Sequence, residues 1–72
     1  MQELEVRRRI GARIREMRRA KALTQDEFGD RSGLNRAHVG ELERGECNVT
    51  IRTLKILADA LDVKISDLTR DV

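Results

Sequence analysis

An all-α fold of five helices is what this chain predicts, and three observations carry it. Proline is absent from all 72 residues, and nearly every segment suits a helix. Apolar residues recur at helical spacing, first as Ile10, Ile14 and Met17. Helix boundaries are written in local chemistry: Thr24–Gln25–Asp26–Glu27 reads as a capping box, and Gly33 and Gly45 stand where helices must stop. One Phe and no Trp or Tyr leave an aliphatic core. A chain this short buries only roughly 60% of its unfolded surface, so self-association is a natural further source of stability.

The first helix spans about residues 4–20. Arg7, Arg8, Arg9, Arg13, Arg15 and Arg19 lie mostly off its apolar stripe. Gly11 weakens it by up to ~1 kcal/mol relative to Ala. The second helix follows Thr24, whose hydroxyl can accept from the Glu27 amide while the Glu27 carboxylate accepts from the Thr24 amide. Asn35 caps the third, which runs to about Arg44 before Gly45 ends it. Residues 45–49 form a loop. Thr50 then caps a fourth helix to about Leu61, with Ile51, Leu54, Leu57, Ala58 and Leu61 facing inward. Ser66 is expected to cap a last helical turn containing Leu68. No linker, repeat or low-complexity tract intervenes, and residues 1–72 read as one domain.

Residues 25–44, QDEFGDRSGLNRAHVGELER, are the most informative stretch. Gly33 can take the positive φ that turns the chain sharply between two short helices, and Gly29 lets the second cross close to the first, with Val39 against it. Phe28, Leu34, Val39 and Leu42 can then share a small core. This is the sequence form of a helix-turn-helix, whose second helix is built to enter the major groove of DNA.

Charge agrees with that reading. Residues 1–22 hold eight Lys/Arg and three acids, and residues 23–72 hold seven and ten, so the net +2 hides a basic end. A basic face suits phosphate binding, although an arginine-rich solvated helix has the same composition. Cys47 is the lone cysteine and His38 the lone histidine, so neither an internal disulfide nor a structural zinc site can form. No apolar run is long enough for a membrane span, and MQELEVRRRI lacks the apolar segment of a secretion signal. The expectation is a cytoplasmic protein without cofactor, metal, membrane partner or small-molecule ligand.

With these residues in place, the chain resembles the Cro/C1-type helix-turn-helix family, also called the XRE family. The resemblance rests on Ile14 to Arg18, LTQDEFGDRSGLN, HVGELERG and TLKILADALDV, and it covers nearly everything from Ile10 to Leu68. It implies a compact, five-helix, lambda-repressor-like DNA-binding domain. Within the family, the loop ERGECNVT and the short final helix look like the controller proteins of restriction–modification systems.

The resemblance assigns base-reading positions to Arg36, Ala37, His38 and Glu41. Arg36 can bond guanine O6 and N7 together, with a phosphate contact as its rival role. Ala37 departs from the usual polar residue and can touch only a thymine methyl. His38 can face a base, a phosphate or solvent. Glu41 can accept from cytosine N4 or orient Arg36. Phosphate contacts fall on Gln25, at the start of the second helix, and on Arg44, Asn48 and Arg52 beyond the third. Thr50 needs no role beyond capping. Cys47 stands where controller proteins often carry a basic residue. Arg18 and Glu43 match a buried ion pair joining the first and third helices.

Members of the family usually pair through a two-fold axis, and Ile65 and Leu68 are candidates for that homodimer interface. Sealing the core at the end of the fourth helix is the equal alternative for both. The implied function is a transcriptional regulator on a (pseudo)palindromic operator in double-stranded DNA, at the bacterial nucleoid. It would repress by covering a promoter or activate by holding RNA polymerase. The competing class is an antitoxin-type interaction module that neutralises a partner toxin and binds DNA secondarily. No nucleophile–base set or metal cluster remains to make an enzyme.

Overall fold

The computed structural model describes residues 2–72; Met1 lies outside the described residues. Five helices follow in order: α1 Glu3–Ala20, α2 Gln25–Ser32, α3 Arg36–Arg44, α4 Ile51–Leu61 and α5 Ile65–Thr69. Their starts are set by short polar side chains. Thr24 Oγ1 accepts from the Glu27 N–H at 3.0 Å and Glu27 Oε1 accepts from the Thr24 N–H at 2.8 Å, which completes the capping box. Asn35 Oδ1 accepts from the His38 N–H at 2.8 Å, and Thr50 Oγ1 from the Thr53 N–H at 3.0 Å. Gly33 and Gly45 end α2 and α3 with φ of 79° and 71°.

One apolar cluster joins all five helices. Ile10 and Ile14 of α1, Phe28 of α2, Val39 and Leu42 of α3, Leu57, Ala58 and Leu61 of α4, and Leu68 of α5 are buried together with Leu23. Leu34 and Met17 pack against it half-buried. The helix pair α2–α3 rests on α1 and α4, and α5 closes the gap between those two. Arg13 ties α1 to α5, donating from Nη1 to the Asp67 carbonyl at 2.9 Å.

Three details depart from the sequence reading. Ile51 is 79% exposed. Its helical phase is close to that of Ala58, but it opens α4 two turns earlier, beyond the reach of the neighbouring helices. Ser66 does not cap α5. Lys64 is the N-cap residue and its N–H donates to Asp67 Oδ2 at 2.9 Å, leaving Ser66 inside the helix. Leu68 is fully buried within the chain, so it is a core residue and its side chain has no surface to offer a second copy. Gly29 has its tightest approach to the turn: a Cβ there would stand 2.6 Å from the Leu34 carbonyl oxygen.

The close helix crossing belongs to Gly11. A Cβ at this position would strike the Leu42 carbonyl oxygen and lie 2.7 Å from that of Glu43. The neighbours are backbone and cannot rotate away, so α1 lies directly on the last turns of α3. Gly11→Ala raises intrinsic helix propensity by ~1 kcal/mol, yet urea unfolding is expected to show a net loss of about 1–3 kcal/mol from overpacking.

Candidate nucleic-acid interface

α3 divides cleanly into two faces. Val39, Gly40, Leu42 and Glu43 are buried, whereas Arg36, Ala37, Glu41 and Arg44 are exposed. His38 lies between the two, half-buried. The exposed positions follow one another at helical spacing along a single stripe. They line a shallow groove together with Gln25 at the start of α2, Gly40 and Glu46. Gly40 carries no side chain, so the stripe keeps an open middle; a Cβ there would come within 2.9 Å of the Arg44 guanidinium.

The inner face of α3 is anchored by a buried ion pair. Arg18 Nε donates to Glu43 Oε2 at 2.6 Å and Arg18 Nη2 donates to Oε1 at 3.0 Å. Both residues are 7% exposed. Arg18 Nη1 also donates to the Leu23 carbonyl at 2.7 Å, and Gln25 Nε2 donates to Glu43 Oε1 at 3.1 Å. Every strongly charged atom is answered, which is the condition for tolerating charge in a core. The hydrogen bonds to Glu43 push the Arg18 pKa up, against the downward pull of burial. This cluster binds α1, the turn before α2, the first residue of α2 and the last turns of α3 to one another.

Gln25, Arg36, Ala37, Glu41 and Arg44 therefore come together, although Gln25 also spends one amide hydrogen on Glu43. Arg36 Nη1 lies 3.8 Å from Asp26 Oδ2, both side chains well exposed. Arg44 Nε lies 2.9 Å from Glu46 Oε2. That ion pair holds the Arg44 guanidinium above its ordinary pKa and the Glu46 carboxyl below the usual carboxylate range. Asn48 and Arg52 are exposed but stand apart from the groove, in the loop and in the first turn of α4. Asn48 Oδ1 accepts from Arg7 Nη1 at 3.3 Å, so the start of α1 reaches the loop after α3. Ile65 is half-buried at the start of α5. Cys47 is half-buried, and burial, with Glu41 nearby, pushes its thiol up, away from thiolate chemistry.

Sequence reasoning missed Gly40, Asp26 and Glu46 as parts of this surface. Gly40 was within reach, since it sits four residues from both Arg36 and Arg44. Glu46 was not, because the left-handed turn at Gly45 is what folds it back over α3.

A capped two-helix unit that offers one polar, cation-bearing stripe on its second helix defines a helix-turn-helix DNA-binding protein, a class of transcriptional regulators rather than of enzymes. The chain belongs to the helix-turn-helix family HTH_3, which it matches over residues 14–68. It is 40% identical over 65 residues to the uncharacterized HTH-type transcriptional regulator y4dJ of Sinorhizobium fredii, covering 90% of this chain and 84% of that one. It is 35% identical over 65 residues to the control protein C.SmaI of Serratia marcescens, covering 90% and 77%. The crystal structure of the restriction-modification controller protein C.AhdI from Aeromonas hydrophila superposes with a TM-score of 0.82 at 43% identity, over 85% of this chain and 92% of that one.

The α2 capping box, which starts the motif, carries a pH signature. The Thr24 backbone and side chain hold the Glu27 carboxyl below its ordinary value of 4.5. Its contribution is therefore complete above the ordinary value and is lost as pH falls through the lowered one. Glu27→Gln, which removes the titrating carboxyl, is expected to reduce stability at neutral pH and to flatten the acid side of the stability profile, as measured by thermal unfolding between pH 7 and about pH 3.

Proposed function

We propose that this protein regulates transcription as a homodimer, each protomer laying α3 in the major groove of a (pseudo)palindromic operator. The observation that carries the reading is the outer face of α3, where Arg36 and Arg44 stand on one stripe beside the start of α2. Arg36 reads guanine through O6 and N7, Ala37 meets only a thymine methyl, and Glu41 accepts from cytosine N4 or steadies Arg36. His38, half-buried beside the stripe, makes a base or phosphate contact at its edge. Arg44, Arg52, Asn48 and the free hydrogens at Gln25 and the α2 start grip the phosphates and set the register.

One recognition helix reads only a few base pairs, so two-fold pairing supplies the remaining specificity, with half-sites about one helical turn apart. Leu68 is committed to the core, so the association rests on Ile65 and the exposed surface around α5. The likeness to C.SmaI and C.AhdI supports a controller of a restriction–modification operon, working in the bacterial cytoplasm at the nucleoid. A site over a promoter represses by occlusion, and one just upstream activates by holding RNA polymerase. No helix among the described residues is long and apolar enough to cross a membrane.

Titrating the protein onto DNA upstream of its own gene and onto an unrelated duplex, as salt rises, tests this reading. A preference of about 10³-fold or more at physiological salt is expected. Arg36→Ala is expected to remove about 1–3 kcal/mol of that preference while leaving binding to the unrelated duplex nearly intact. Equal binding to both duplexes that vanishes with salt contradicts it. Ile65→Glu is expected to shift sedimentation from dimer to monomer while the helical circular dichroism is retained. A wild-type monomer at micromolar concentration removes the dimer.

A further inference from the structure

The outer face of α3 holds something a plain DNA-binding surface does not need. Arg44, a phosphate-binding cation in the reading above, is already engaged by a carboxylate of its own chain. Glu46 Oε2 is 2.9 Å from Arg44 Nε, and both side chains are about half exposed. The position of Glu46 is fixed by backbone rather than by chance. Gly45 turns the chain at φ 71°, and the Glu46 N–H donates to the Glu41 carbonyl at 2.9 Å. The side chain is thereby returned over the last turn of α3 into the groove shared by Gln25, Arg36, Glu41 and Arg44. Among the described residues the Glu46 carboxylate has no other partner, and no helix boundary or core contact requires it. An acid on a face that meets a polyanion weakens binding, so its effect on Arg44 is its consequence.

We propose that Glu46 is a built-in competitor for the DNA phosphate that Arg44 binds. In free protein the carboxylate occupies the guanidinium; on DNA a phosphate oxygen displaces it, and Glu46 swings into solvent. Affinity for any duplex is then set below what the cations of the groove would give. Arg44 enters the complex by exchanging one anion for another, so it adds less to the salt dependence than a free arginine does. The contrast with Arg36 is instructive: its carboxylate neighbour Asp26 is 3.8 Å away, beyond hydrogen-bond range, and leaves that guanidinium free to seek a base. This inference rests on the outer face of α3 being the DNA interface.

A double-mutant cycle on the full chain tests it, with a random-sequence duplex as probe and fluorescence anisotropy across a salt series. Glu46→Gln is expected to tighten binding about 3- to 10-fold at low salt and to steepen the slope of log K against log salt by up to about 1. Arg44→Ala is expected to weaken binding. In the Arg44→Ala background, Glu46→Gln is expected to gain less than about 2-fold, the residue of removing one negative charge at a distance. A gain that persists undiminished without Arg44 overturns the proposal, because Glu46 then acts only through the overall field. No gain from Glu46→Gln, with Arg44→Ala still harmful, overturns it while leaving the interface standing. Arg44→Ala that binds like wild type overturns the interface reading and the competitor role together.

Discussion

The buried pairing of Arg18 with Glu43 is the contact on which the outer face of α3, the proposed recognition surface, depends. α3 is only nine residues long, and a helix of that length has little stability of its own. Its orientation has to come from what lies beneath it. Glu43 supplies this by accepting from Arg18 and from Gln25, while Arg18 spends its remaining nitrogen on the Leu23 carbonyl. One carboxylate thus fixes α3 relative to both α1 and α2. The pair is directional where apolar contacts are not, so it selects one rotation of α3 and hence one set of outward side chains.

The pair works because α1 lies unusually close to α3. Gly11 allows α1 to rest on the Leu42 and Glu43 carbonyls, and at the far end Gly45 lies against the backbone of Arg8. α1 therefore holds α3 at three places: the Gly45 turn, the Gly11 crossing and the Arg18 fork. This arrangement uses the buried face of α3 completely and leaves the opposite face with no structural duty. Arg36, Ala37, Glu41 and Arg44 are exposed there, which is what the proposed DNA contacts require. The same logic explains why a domain with a small aliphatic core can hold a polar surface rigidly.

Sequence made some of this legible and hid the rest for physical reasons. Local chemistry was readable: the Thr24 capping box, the Asn35 and Thr50 caps and the left-handed Gly33 and Gly45 each act within a few residues, and the five helices follow from them. Leu42, Val39 and Phe28 were readable from spacing. The Arg18–Glu43 match came from family resemblance, since nothing in a single sequence joins residues 25 apart. Gly11 looked like a defect because propensity sees only its own helix, whereas its value lies in the crossing with α3. Ile51 was misplaced because periodicity gives a residue's angle around a helix and not whether a neighbour covers that level, and for the same reason sequence left Leu68 open between the core and a dimer interface. The ends of α1 and α4 were placed at about residue 20 and Leu61, but the left-handed residues just beyond them, Ala22 and Asp62 at φ of 57° and 56°, are not glycine, so no punctuation announced those turns.

The measurement that tests this account most directly is a double-mutant cycle between Arg18→Met and Glu43→Leu, read by urea unfolding. Each single change strands a buried charge and is predicted to cost about 3–5 kcal/mol, whereas the double variant, with an apolar pair in the same space, is predicted to lose far less than the sum. Coupling of about 3 kcal/mol or more would establish the fork as the element that fixes α3. Losses that add to within about 0.5 kcal/mol would contradict it and leave the recognition helix held by apolar packing alone.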